Sequence, residues 1–302
     1  MMTLEVRNVN RALGLGLALL RSSGVPEQSR GGDVLALPQP LTTVYNRPWE
    51  RVLFDPIRDA NPFFHLMESV WMLAGSSDAR WLDTWVKDFS SRYAEENGHI
   101  HGAYGKRWRD HFYQNTSDNQ FRVGIDQLLK IGEMLFNDPT TRQAVLGMWD
   151  PEVDLGAKKK DLPCNTHIYW RARQDHMDKV WDLDMTVCCR SNDMIWGAYG
   201  ANAVHMSILH EVMAGLAGMR QGIYRQVSNN MHAYTEVMNK LGNATRPPED
   251  PYLGQVSSWQ MLRSLPVTHP NWREEHRGEA RQVLADCDRV VAGCKDGFRS
   301  LW

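Results

Sequence analysis

Residues 181–189 alternate without a break. Trp181, Leu183, Met185 and Val187 fall on one face, and Asp182, Asp184, Thr186 and Cys188 on the other. Successive strand side chains point to opposite faces, so the run predicts a strand with one face in a core. It ends directly on Arg190-Ser191-Asn192-Asp193. Residues 143–149 and 166–173 predict further strands, and 223–228 a shorter one. Residues 201–217 read as a long apolar helix, suited to packing on that sheet. Residues 61–84 also read as helical. Asn61 suits a cap and Pro62 the first turn. Phe63, Met67, Val70, Trp71 and Ala74 then recur at helical spacing until Gly75 ends the main run. An amphipathic first helix over 12–20 is capped by Gly24. The mixture predicts an α+β fold.

At 302 residues the chain can bury a large core. No linker, low-complexity run or internal repeat divides it, so residues 1–302 read as a single domain. A formal net charge of −2 excludes a generic polyanion binder, and no nucleic-acid partner is expected. The run Lys158-Lys159-Lys160 reads as a solvated loop. No apolar stretch reaches the roughly 18 residues of a membrane span. The apolar N-terminal segment lacks the small-residue cleavage site of a signal peptide at Arg21-Ser22-Ser23-Gly24. Five cysteines without a CxxC pair suit free thiols in a reducing cytosol. A cytoplasmic location and no metal centre are expected.

Chemistry-bearing residues come in an ordered set. Cys164 lies in Asp161-Leu162-Pro163-Cys164-Asn165, followed by Arg190-Ser191 and then by Asn230-Met231-His232-Ala233-Tyr234. The set offers one nucleophile, one phosphate-binding cation and two hydroxyl-reading side chains. Upstream lie His65-Leu66-Met67-Glu68-Ser69-Val70-Trp71 and Ala103-Tyr104-Gly105-Lys106-Arg107-Trp108-Arg109. In this order the blocks resemble the thymidylate synthase superfamily, which includes the pyrimidine-nucleotide hydroxymethylases. The resemblance runs from about Arg30 to Tyr234. Any block alone would be a weak signal.

The resemblance implies one domain on a large mixed sheet, packed by helices and dimerising sheet to sheet. It implies a nucleoside monophosphate substrate, 5,10-methylenetetrahydrofolate as one-carbon donor, and active sites shared across a homodimer. Cys164 would attack pyrimidine C6, turning C5 into a nucleophilic carbon; the attack needs the thiolate, favoured by nearby cations such as Arg190. Glu68 and Tyr104 would move protons. Arg30, Arg190, Ser191 and an Arg142 donated across the dimer would hold phosphate. His232 and Tyr234 would read the sugar. Asp193 would serve base and folate, with Trp71 beside the folate. Taken alone, a cysteine reads as a buried structural thiol, and Cys188, Cys189, Cys287 and Cys294 keep that reading.

Departures point away from an ordinary synthase. Asn165 follows Cys164 where the synthases carry histidine, and Cys189 precedes Arg190 where they carry glutamine. Gln143 replaces a second arginine after Arg142, and Asn230 an aspartate. In register from Arg190, the base-reading asparagine position is Ala201, and Trp196-Gly197-Ala198-Tyr199-Gly200-Ala201-Asn202 replaces the usual block. The chain ends Phe298-Arg299-Ser300-Leu301-Trp302, not in the family's short apolar tail. Ala201 cannot pair with a base, so Asn202 or a water must read it. The expectation is C5 hydroxymethylation of a cytidine nucleotide, CMP or dCMP. The alternatives are hydroxymethylation of dUMP, thymidylate synthesis, or an inactive nucleotide- or RNA-binding homologue.

Overall fold

The computed structural model describes residues 1–56, 58–115, 122–242, 250–254, 257–258, 260–262 and 271–293. Cys294 and the run 298–302 lie outside them. The chain opens with β1 (Met2–Val6), α1 (Val9–Ser23), β2 (Val25–Ser29), β3 (Gly32–Ala36), β4 (Leu41–Tyr45) and α2 (Pro62–Leu73). Next come α3 (Phe89–Tyr93), α4 (Tyr104–Arg109), β5 (Tyr113–Asn115), β6 (Arg122–Gly124), α5 (Gln127–Asn137), β7 (Val145–Gly147) and α6 (Pro151–Asp154). The central segment holds β8 (Asn165–Gln174), β9 (Trp181–Cys189) and β10 (Asn192–Asp193). A π-helical turn, Met194–Ala201, leads from there into α7 (Asn202–Leu216). After these come β11 (Arg220–Ser228), β12 (Met231–Tyr234), α8 (Thr235–Leu241) and α9 (Trp272–Gly293).

Six strands form one mixed sheet, ordered β1-β4-β11-β9-β8-β7. β9 keeps the alternation read from the sequence. Leu183, Met185 and Val187 are fully buried, whereas Thr186 and Cys188 are only half-buried on the reverse face. Asp184, also on the reverse face, is held by Arg173 at 2.7 Å and Arg225 at 3.1 Å. Every residue of α7 is buried. The helix packs on β9 and β11 and is covered by α2, α5 and α9, so it has no solvent face to mark with a polar stripe.

Asn61 caps α2, its side-chain oxygen accepting from the Phe64 N–H at 3.0 Å. Gly75, at φ +67°, ends the helical run, and Ala79–Thr84 forms a separate 3₁₀ turn. β7 is shorter than the expected 143–149. Met148 and Trp149 N–H both turn to the Thr166 carbonyl, at 2.9 and 3.2 Å, which ends the ladder.

A second sheet, β10-β12-β3-β2, brings distant segments together. β10 runs parallel to β12 with Asp193 opposite His232. β12 pairs antiparallel with β3, placing Tyr234 opposite Val34. β2 and β3 form a hairpin whose Ser29↔Gly32 pair encloses Arg30-Gly31 at the tip. The α+β class and the mixed sheet packed by helices agree with the sequence reading.

Candidate active site

Cys164 stands just before β8, where the β8/β9 register shifts between Asn165 and His167. Such bulges re-aim the chain locally. Arg190, at the end of β9, fixes the cysteine loop. Its backbone N–H donates to the Cys164 carbonyl at 2.9 Å. Its Nε donates to the Pro163 carbonyl at 3.0 Å and one Nη to Leu162 at 3.2 Å. A guanidinium has five donors, so others stay available for an anion. The Arg190 head also lies over the Trp149 ring, 5.5 Å from its centroid.

The Tyr104 hydroxyl lies beside the Cys164 thiol and backbone, near enough to pull the thiol's pKa down. Tyr104 opens α4, which lies directly on the backbone of α2. A Cβ on Gly105 would sit 2.0 Å from the Met72 carbonyl oxygen, so only glycine permits this approach. Burial pushes the Cys164 thiol above its ordinary pKa. Arg190 and the Tyr104 hydroxyl pull it down, while Asp161 and Asp193 add to the rise. The expected cationic activation is therefore present in direction but outweighed by burial.

Tyr104 also lines a cavity of about 540 Å³ bounded by α2, α4 and the start of α7. Phe64, Trp71, Phe89, Ile100 and Trp196 supply its apolar wall. Trp71 is 2% exposed, with its indole N–H bound to the Asp78 carbonyl at 2.9 Å. Glu68 faces the cavity, and His205 Nε2 lies 3.0 Å from its Oε2. His65, also on the lining, is held down to a pKa of about 3 by burial, then by His205 and Arg58. Asp161 completes the polar part of the wall, its carboxyl pushed up by burial against the pull of His101, Arg190 and Arg30.

Asp193 caps the π-helical turn through Oδ1, which accepts from Ile195 N–H at 2.8 Å and Trp196 N–H at 2.6 Å. Its Oδ2 is buried without a partner. Burial raises its pKa, against the pull of the Trp196 N–H and His232. The turn is non-helical at Tyr199 and Gly200, and it places both Ala201 and Asn202 on the cavity wall. π-turns of this kind recur at functional sites. Asn202 Nδ2 donates to Asn192 Oδ1 at 3.2 Å, and Asn192 Nδ2 to Ser228 Oγ at 3.2 Å. Behind them, the buried Cys189 thiol donates to Asn165 Oδ1 at 2.9 Å.

The second sheet carries the remaining expected residues. His232 Nδ1 lies 2.8 Å from Asn230 Oδ1, and its ring meets Tyr234 edge to face. A Cβ on Gly31 would come within 2.5 Å of the Tyr234 hydroxyl, so the hairpin tip is seated on that tyrosine. Arg30 reaches from the tip to the Lys159 and Lys160 carbonyls at 3.2 and 3.3 Å, close to the cysteine loop. Ser191 is half-buried beside Arg190. Arg142 stands apart: it is exposed at the α5–β7 turn, and among the described residues no hydrogen bond or ion pair links it to Cys164.

Sequence reasoning missed His205, His65 and Arg58, and gave Asp161 no role. His65 was visible three residues before Glu68, a spacing that puts both on one helix face. Arg58, whose guanidinium lies 4.0 Å from the Trp196 ring centroid, sits in irregular chain with no pattern to mark it.

A sequence profile of the thymidylate synthase family matches residues 61–256. A deoxyuridylate hydroxymethyltransferase of Pseudomonas phage M6 is 45% identical over 99% of this chain and 80% of its own length. A deoxyuridylate hydroxymethyltransferase of Bacillus phage SP01 is 34% identical over 68% of this chain, a match spanning 54% of that protein. A thymidylate synthase of Corynebacterium aurimucosum is 28% identical over 63% of this chain and 67% of its own length. The chain belongs to the thymidylate synthase family, enzymes that move a one-carbon unit from 5,10-methylenetetrahydrofolate to a pyrimidine nucleotide.

Proposed function

We propose that this enzyme hydroxymethylates C5 of dUMP, acting as one domain over residues 1–302. The observation that carries the reading is the 45% identity to a protein named a deoxyuridylate hydroxymethyltransferase, which extends over 99% of the chain. The cytosine expectation rested on Ala201 and gives way. Asn202 shares the cavity wall with Ala201, so an amide is again at hand for a base edge. A carboxamide has two N–H donors and a carbonyl acceptor; with one Asn202 N–H given to Asn192, the other and the carbonyl oxygen match uracil O4 and N3–H.

In this mechanism Cys164 bonds to C6 of the uracil ring, and C5 gains carbanion character. Arg190, Ser191 and Arg30 bind phosphate, and the partner's Arg142 completes the set. His232 and Tyr234 hold the sugar hydroxyl. Tyr104, beside Cys164, takes part in removing the C5 proton. The residues present fit the folate: the exposed Trp196 indole and the apolar wall suit a flat heterocycle, and the unpartnered Asp193 Oδ2 suits its N–H groups. When bound, the folate supplies the one-carbon unit. C5 is left carrying an exocyclic methylene, to which water adds.

The test is product mass after incubation with dUMP, dCMP or CMP and 5,10-methylenetetrahydrofolate. The dUMP product should be heavier by one CH₂O unit and form about 10-fold or more faster than either cytidine product. A faster cytidine reaction would overturn the base assignment.

A homodimer with shared sites is part of the proposal. The reverse face of the main sheet supports it: Tyr169 is 45% exposed there, and the Asp184, Arg173 and Arg225 charges are already paired among themselves. Mixing Cys164→Ala and Arg142→Ala chains should restore part of the activity, because one hybrid site escapes both lesions. No recovery despite demonstrated subunit exchange would exclude sharing through Arg142.

A further inference from the structure

His205 belongs to none of the sequence blocks that marked the site, yet it lies at its centre. It is 3% exposed, and it lines the same cavity as Glu68 and Tyr104. Its Nε2 is 3.0 Å from Glu68 Oε2, although the N–H is not aligned on an acceptor. Catalytic hydrogen bonds often align only in the reacting complex. The ring is packed edge-on against His65, at a centroid distance of 5.8 Å. That contact fixes its plane. α7, buried along its whole length, fixes its position.

We propose that His205 positions Glu68 as the base for the water that adds to the exocyclic methylene. The inference rests on the hydroxymethylation reading above. Hydride transfer would need no base at this step, whereas water must lose a proton as its oxygen bonds to carbon. In the proposed step the water oxygen bonds to the methylene carbon and its proton passes to the Glu68 carboxylate. The electron pair of the methylene double bond moves through C5 onto the C4 carbonyl oxygen. As it returns, the C5=C6 double bond forms, the C6–S bond breaks and Cys164 leaves as thiolate. The proton held by Glu68 balances the one the thiolate later regains. His205, beside Oε2, holds one carboxylate oxygen and leaves Oε1 for the water. Among the described residues, His205 is the ion-pair partner of Glu68.

The test separates water addition from the steps before it. Wild-type enzyme, His205→Ala and His205→Gln are incubated with dUMP tritiated at C5, 5,10-methylenetetrahydrofolate and 2-mercaptoethanol, a thiol that captures an exocyclic methylene. Tritium release reports proton loss from C5, which precedes hydration. In His205→Ala the hydroxymethyl product should fall about 100-fold. Tritium release should fall far less, and the mercaptoethanol thioether should become the main product. His205→Gln keeps an N–H at similar reach and should recover much of the hydroxymethyl product. Parallel loss of tritium release and product in both variants, with no thioether, would reduce His205 to a structural residue and overturn the proposal. Unchanged partition in His205→Ala would also overturn it. A methylated product from the wild-type enzyme would instead overturn the parent reading, whatever the variants do.

Discussion

Cys164→Ala should lose about four orders of magnitude or more in turnover, because removing a covalent nucleophile removes the reaction path itself. C5–tritium exchange from dUMP should vanish with it, since no other group here raises electron density at C5. Nucleotide binding should persist. Arg190 is anchored to the carbonyls of Leu162 and Pro163, not to the thiol, so deleting the sulfur leaves its guanidinium in place. Calorimetry with dUMP, beside the exchange assay, checks both halves. Substantial turnover by this variant would remove Cys164 from the mechanism.

The largest expected effect on stability lies beneath Tyr104. Arg107, one turn along α4, is 1% exposed and makes paired contacts to Asp154 at 2.9 and 2.8 Å. His101 reaches the same carboxylate at 2.8 Å, and the Asp150 N–H donates to it at 2.9 Å. Asp154→Ala would strand the buried guanidinium, at a cost of about 3–5 kcal/mol. Denaturant unfolding should show that loss. Turnover should fall too, since the pair ties α4, and so Tyr104, to the loop ahead of Cys164. Burial alone would raise the Asp154 pKa, but the bonds from Asp150, Arg107 and His101 hold it below the ordinary value. Its contribution is therefore complete above the unfolded carboxyl pKa of about 3.9 and disappears as pH falls through the lower folded value. The wild-type protein should lose stability over that acid range, and Asp154→Ala should lose less. An unfolding energy unchanged by the substitution would show that the pair contributes nothing net.

Much of this fold is legible in the sequence. β9 announces itself because one face is core and the other is not, so its alternation survives in the sequence. The helix over 202–216 was legible for the opposite reason: it is enclosed, and apolar residues predominate along its whole length. The β2–β3 hairpin was not legible. β2 reads Val-Pro-Glu-Gln-Ser and is almost wholly exposed, so no hydrophobic period marks it. Arg30 was found through family likeness, not pattern. His205 escaped because a histidine within a buried helix carries no periodic signature, and its partner Glu68 lies on a different helix. The base expectation turned on one stretch, where the sequence offered Ala201 by register and Asn202 beside it. The irregular turn at Tyr199 and Gly200 puts both residues on the cavity wall, a geometry that no sequence count of helical or extended residues gives.

The choice between water and hydride is most directly tested by following folate and nucleotide together in one reaction with dUMP. Hydride transfer converts the folate to dihydrofolate, with its rise in absorbance. Water addition leaves tetrahydrofolate. The absorbance trace should stay flat while 5-hydroxymethyl-dUMP accumulates. Stoichiometric dihydrofolate accompanied by methylated dUMP would contradict water addition.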